Sequence, residues 1–128
     1  MRSVQRFFIC NHCGNLIGII GEKAAPLVCC GEEMSELVPN TVEASKEKHL
    51  PDVKVSADKI TVQVGSAPHP MEDGHLIKFV YLETENGGQR KALAAGGEPK
   101  AVFAVIDDKP IAVYAYCNLH GLWKTVIE

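Results

Sequence analysis

Ile60-Thr61-Val62-Gln63-Val64 places an apolar β-branched residue at every second position with a polar residue between. A side-chain period of two belongs to a strand with one face in a core and the other toward water. Further short apolar segments surround it at Leu76 to Leu82, Ala101 to Ile106, Ile111 to Tyr116 and Trp123 to Ile127. Asn86-Gly87-Gly88, Gly96-Gly97 and Asp107-Asp108-Lys109-Pro110 separate them, all residue types that favour tight turns. No segment carries a helical period of useful length. The pattern predicts a mainly β protein built on an antiparallel β-sandwich, immunoglobulin-like in topology. The chain shows no internal repeat.

Upstream the composition changes. Four of the five cysteines lie in the first thirty residues, as Cys10-x-x-Cys13 and the adjacent pair Cys29-Cys30, and the fifth is Cys117. Between them, Asn15 to Val28 is rich in small and β-branched residues, with turn signals at Gly14, Gly21 and Pro26, and is expected to form a hairpin. A knuckle of about 35 residues cannot hold itself together by burial. Metal ligation would supply the missing free energy, because the site does not exist in the unfolded chain. Pro39 to Pro51 is polar and charged and reads as a linker or exposed loop. The expected organisation is a metal knuckle over residues 1–38 followed by the sandwich over residues 39–128.

With 46% hydrophobic and 23% charged residues the chain has material for a core and is far from a disordered profile. A net charge of −3 with both signs interspersed excludes the basic footprint of a nucleic-acid binder. The residues Met1 to Cys10 lack the apolar core of a signal peptide. The run Leu16 to Ile20 is broken by Gly18 and is far too short to cross a bilayer. The expectation is therefore a cytoplasmic protein with no membrane partner. In a reducing compartment an odd number of cysteines reads as metal ligands or reactive thiols, not as disulfides.

A C-x-x-C chelate and a second close pair brought up by a hairpin can complete a tetrahedron of thiolates, for which zinc and iron are both suitable. The adjacency of Cys29 and Cys30 is the less usual feature, since neighbouring ligands strain the chelate angles. His12 lies inside the first chelate loop and is read as facing solvent or supporting the site, since four thiolates already suffice. The other histidines, His49, His69, His75 and His120, all stand beside loop signals: Pro51 follows His49, Pro68 and Pro70 flank His69, and Gly74 precedes His75. Cys117 and His120 form a C-x-x-H chelate. Loops on a rigid β scaffold can bring all five to one end of a sandwich. A β-sandwich with histidine and cysteine near its end also suits blue copper, but no methionine follows Cys117 to act as the weak axial ligand. Four nitrogens and one sulfur leave one octahedral position open to a small oxidant.

Taken together, the motifs resemble the desulfoferrodoxins, the two-iron superoxide reductases, over essentially the whole chain. They are Cys10-Asn11-His12-Cys13-Gly14, Cys29-Cys30-Gly31, Glu47-Lys48-His49-Leu50-Pro51, Gly65-Ser66-Ala67-Pro68-His69-Pro70-Met71, His75 and Cys117-Asn118-Leu119-His120-Gly121. The resemblance implies two irons per chain. One is held by Cys10, Cys13, Cys29 and Cys30 in a rubredoxin- or desulforedoxin-like knuckle, which makes zinc the lesser choice there. The other is held by His49, His69, His75 and His120 as equatorial ligands with Cys117 as axial thiolate. The implied activity is one-electron reduction of superoxide to hydrogen peroxide without release of dioxygen, in an antioxidant, detoxifying role. Electrons would come from a donor such as rubredoxin, and the protein would be a homodimer.

On that reading the catalytic candidates are Lys48, whose charge would steer the superoxide anion inward, and Glu47, which the family places at the vacated position afterward. The backbone N–H groups of Asn118 and Leu119 are expected to donate to the Cys117 sulfur. The alternative is a non-enzymatic iron or copper electron-transfer protein. A third reading is a zinc-knuckle interaction module in which the histidines are incidental.

Overall fold

Turn chemistry decides the first unit. A computed structural model describes residues 4–21 and 26–128, which divide into two units, Val4–Val38 and Pro39–Glu128. In the first, β1 (Arg6–Ile9) pairs antiparallel with β2 (Leu16–Ile19) on one side and with β5 (Ser35–Leu37) on the other. The turn joining β1 to β2 is the first cysteine loop, closed by the Cys10 N–H on the Asn15 carbonyl and the Gly14 N–H on the Cys10 carbonyl, each at 2.9 Å. A second hairpin, β3 (Val28–Cys29) with β4 (Glu32–Glu33), turns on Cys30-Gly31. Both turn residues have positive φ, 54° and 78°, the signature of a two-residue turn matched to strand twist. The left-handed backbone at Cys30 answers the adjacency problem, since it swings the second sulfur back beside the first.

The hairpin expected over Asn15 to Val28 is thus differently arranged. Residues 22–25 fall outside the described residues, and Leu16–Ile19 pairs backward with β1 instead of forward with Val28. The two hairpins turn on the cysteines themselves. Among the described residues of this unit Phe7 and Cys10 are the buried apolar ones, and the Arg6 guanidinium grips Glu36 across β1 and β5 at 2.8 and 3.1 Å.

The second unit is an antiparallel sandwich of the immunoglobulin-like class. Its smaller sheet runs β10 (Lys100–Ala104), β7 (Lys59–Val64), β6 (Pro51–Ser56). The larger runs β12 (Gly121–Val126), β11 (Pro110–Cys117), β8 (Ile77–Thr84), β9 (Gly87–Ala92). The alternation read at Ile60, Val62 and Val64 puts those three on the inner face, where they pack with Phe103, Val80, Leu82, Val113 and Ala115. Each is nearly inaccessible to solvent. At about 25 cal/mol per Å² of apolar surface removed from water, this shared face is what gives the sandwich its rigidity.

Two details of the sandwich bear on function. Tyr116 lies opposite Phe79 whereas Cys117 lies opposite Ile77, so Lys78 is an extra residue on β8. That bulge returns Ile77 to the inner face together with Cys117 and re-aims the chain just before it, where His75 lies. On its other side β8 keeps its register with β9 and extends it, the Lys78 carbonyl accepting the Leu93 N–H at 2.9 Å. Within the segment expected to be a linker, Lys46–His49 forms one helical turn, α1, which buries His49 while Glu47 and Lys48 face water. Strands β1, β4, β5, β6 and β9 were not foreseen. Among the described residues no helix is long and apolar enough to cross a membrane.

Candidate metal centres

Each imidazole of the second unit reaches the same place from a different piece of chain. His49 closes α1, His69 follows β7, His75 precedes β8, and Cys117 and His120 bracket the turn from β11 to β12. One donor atom from each of the five lies within 4.8 Å of every other. His49, His69 and Cys117 are only 3%, 2% and 0% exposed, so the centre is closed on the protein side, while His75 and His120 are half-buried.

Main-chain carbonyls fix the tautomers. His49 Nδ1–H donates to the Ser45 carbonyl at 2.6 Å and His69 Nδ1–H to the Pro70 carbonyl at 2.7 Å. A carbonyl only accepts, so in both rings Nε2 carries the lone pair. Yet His49 Nε2 lies 3.2 Å from His69 Nε2 and 3.1 Å from His120 Nδ1, and His75 Nε2 is buried without any hydrogen-bond partner. Lone pairs gathered this closely repel unless a cation stands among them. Cys117 Sγ, 3.8 Å from His120 Nδ1, completes a donor set of three Nε2, one Nδ1 and one sulfur. Nitrogen with a single soft thiolate suits iron, so the residues fit the metal.

Electrostatics keep the donors ready. Burial lowers the His49 pKa, with the neighbouring imidazoles and the Lys48 ammonium adding to the effect, and burial pushes His69 down to about 4. Both rings are therefore neutral at pH 7. Trp123 stacks on the His49 ring with centroids 5.0 Å apart and donates its indole N–H to the His120 carbonyl at 3.1 Å, so one buried side chain steadies two donors. Sequence reasoning treated Trp123 only as the start of a strand.

Glu47 and Lys48 flank this centre on exposed backbone and are not among the converging groups. Glu47 lines a shallow depression with Lys46, Leu50, Pro51, Asp52 and Ser66. The turn after β7 anchors α1: Gly65 N–H donates to the Leu50 carbonyl at 3.0 Å, and the Ala67 N–H and Ser66 hydroxyl both donate to the Glu47 carbonyl. The expected donation from Asn118 to the Cys117 sulfur is not what the backbone does. Its N–H points to the Leu76 carbonyl at 3.3 Å, because the bulge opposite Cys117 brings that carbonyl within reach, and no bond from Leu119 to the sulfur is found among the described residues.

In the first unit the sulfurs of Cys10, Cys13, Cys29 and Cys30 likewise lie within 4.8 Å of one another. The Cys13 N–H reaches Cys10 Sγ at 3.5 Å and, with the His12 amide, pulls the Cys10 thiol down to about 6. A second thiolate beside it is resisted, since sharing with Cys10 and Cys13 pushes Cys29 up to about 12. A cation at the centre removes that resistance, so this set also fits a metal. His12 turns away to an exposed pair with Glu32 at 2.9 Å.

Residues 41–126 match the desulfoferrodoxin family model, and residues 3–37 match the model of the desulfoferrodoxin N-terminal domain. The chain belongs to the desulfoferrodoxin family. Among curated relatives of the family, the desulfoferrodoxin of Syntrophotalea carbinolica is 44% identical over 116 residues, 91% of each chain. The superoxide reductase of Treponema pallidum superposes with a TM-score of 0.81 at 37% identity, over 97% of this chain and 99% of that one. A one-iron superoxide reductase from Giardia intestinalis covers 65% of this chain and 99% of its own, with a TM-score of 0.56 at 35% identity.

Proposed function

We propose that this chain is a superoxide reductase, converting superoxide, one electron and two protons into hydrogen peroxide. The observation that carries the reading is the convergence of four imidazole nitrogens and one thiolate, with the buried Nε2 of His75 left unsatisfied by protein. His49, His69, His75, His120 and Cys117 would hold one iron, and Cys10, Cys13, Cys29 and Cys30 a second. Iron in these donor sets would supply one-electron redox chemistry, and five protein donors at the first of them are compatible with binding a small oxidant.

The chain's own residues do the rest. Lys48, one residue from His49 and exposed, draws the anion toward the centre and offsets its charge. Burial of His49, His69 and Cys117 excludes water from the inner side, so substrate approaches from the side of the half-buried His75 and His120. Glu47, carried on the same turn as Lys48, approaches the centre once product has left. The His49 and His69 rings, kept neutral by burial, add no charge of their own, and Cys117 would be the one sulfur donor among the five.

The same reading has the protein working in the cytoplasm as a homodimer, drawing electrons from a small carrier such as rubredoxin. It is supported by five cysteines that are all free thiols, as a reducing compartment requires, and by the outer strand β2, whose far edge is unpaired among the described residues. The test is a measured flux of superoxide supplied to iron-loaded protein with excess reductant. One peroxide per superoxide, with no dioxygen evolved, is the expected result. Dioxygen with half that peroxide would mean dismutation, and an unaccelerated flux would mean an electron carrier.

A further inference from the structure

Of the four converging imidazoles, His49 and His69 are pinned through their own rings, on the Ser45 and Pro70 carbonyls. His120 rides on a short turn whose carbonyl is held by Trp123. His75 has no ring pin among the described residues, and its Nε2 is the buried atom without a partner. Its position depends on the main chain to either side. The Glu72 and His75 backbones bond each other at 3.0 and 3.1 Å, closing a small exposed loop through Asp73 and Gly74.

Main-chain bonds hold the ends of this segment, with the Gly96 N–H on the Met71 carbonyl at 2.8 Å and the Asn118 N–H on the Leu76 carbonyl at 3.3 Å, and one side chain holds the loop between them. Asn118 accepts the Leu76 N–H at 3.0 Å through Oδ1 and donates to the Gly74 carbonyl at 2.9 Å through Nδ2. A single amide therefore grips the residues immediately before and after His75. It does so from the turn that bears Cys117 and His120. The other flank of the site offers no comparable opening, because His49, His69 and Cys117 are almost inaccessible.

We propose that the His75 loop is the gate through which metal reaches and leaves the five-donor centre, and that Asn118 is its latch. Asn118 is a positioning residue, acting on His75 through Gly74 and Leu76. With its two bonds broken the loop swings His75 outward and leaves four donors in place, a partial opening far less costly than unfolding the sandwich. A residue that only stabilised the loaded state would change release alone. Removing a latch lowers the barrier in both directions.

This rests on the reading of the five donors as a metal centre, and exchange kinetics test the two ideas separately. Metal-free full-length chain is mixed with Co2+ alone and followed by fluorescence of Trp123, the sole tryptophan, which stacks on the His49 ring. Release is measured with excess chelator. Asn118→Ala removes both side-chain bonds and should raise association and dissociation rate constants together by about tenfold, leaving Kd within about threefold. Asn118→Asp keeps the acceptor for Leu76 and loses the donor to Gly74, and should give an intermediate acceleration; it also serves if the alanine variant does not fold. Faster release with unchanged or slower uptake would overturn the latch, as would unchanged rates in both variants. Failure of the unaltered chain to take up Co2+ at this centre would overturn the metal reading itself.

Discussion

Replacing Gly65 by alanine should damage stability and catalysis together, because the turn after β7 is pressed against the backbone that carries Lys48. Gly65 has φ +85°, a conformation that costs an L-residue about 1–2 kcal/mol. A Cβ there would meet the carbonyl oxygen of Ala67 and lie 2.6 Å from that of Lys48, both main-chain atoms. Relief requires the two turns to part, which breaks the bonds from Gly65 to Leu50 and from Ala67 to Glu47, each worth about 0.5–1.5 kcal/mol net. Loss of glycine's freedom in the unfolded chain returns about 0.4–1 kcal/mol. A net destabilisation of about 2–4 kcal/mol follows, which at typical urea dependences lowers the midpoint by on the order of 1–2 M with unchanged slope. Urea titration of the loaded protein measures it, and the superoxide capture rate, read in parallel, should fall as Lys48 is displaced. A midpoint within about 0.3 M of the unaltered protein would refute the tether.

Lys48→Ala should slow superoxide capture by about tenfold at low salt while leaving the metal-bound spectrum intact, and the deficit should shrink at high salt. A salt-independent or unchanged second-order rate constant would remove Lys48 from the mechanism. Cys117→Ser should abolish the sulfur-to-iron charge-transfer absorption of the oxidised five-donor centre; a persisting band would mean that Cys117 is not the sulfur donor. Cys13→Ser should disturb the four-cysteine centre alone, and simultaneous loss of the five-donor metal, by elemental analysis, would contradict the independence of the two sites. For the metal-free chain, the folded His69 titrates near 4 against an ordinary 6.5, so the unfolded chain takes up its proton first. Stability should therefore be level above pH 6.5 and fall as pH drops toward 4, by less than about 1.4 kcal/mol per unit from this ring. A urea midpoint independent of pH across that range would show that the ring is not held neutral by burial.

The donors were legible because the sequence spends so few histidines and cysteines, and because chemistry limits what a C-x-x-C or C-x-x-H spacing can be for. The alternation at Ile60, Val62 and Val64 likewise survives in β7, where the inner face is buried completely enough to demand it. Strand β9, with the sequence Gly-Gly-Gln-Arg-Lys-Ala, carries no such demand: it pairs on one side only and most of it is exposed. Backbone pairing to β8 makes it a strand, and backbone pairing leaves no mark in side-chain pattern. The single turn Lys46–His49 is too short to show a period. The supports of the centre were hidden for a related reason. The Ser45 and Pro70 carbonyls are main-chain atoms common to every residue, and the contacts of Asn118 with Leu76 and of Trp123 with His49 join positions far apart in the chain.

The spread of the donors along the chain sets how each ion is lost. Cys10 and Cys29 are separated by 19 residues, whereas His49 and His120 are separated by 71 and meet only because β6 to β12 intervene as a folded body. Closure entropy differs by only about 1 kcal/mol between loops of these lengths, so what separates the two ions is that the thiolates are gathered by the small Val4–Val38 unit, which its own ion would hold folded. The imidazoles disperse the moment the sandwich opens. Heat or denaturant should then strip this protein in sequence, shedding the working ion with the loss of tertiary structure and surrendering the other only to a competitor for sulfur.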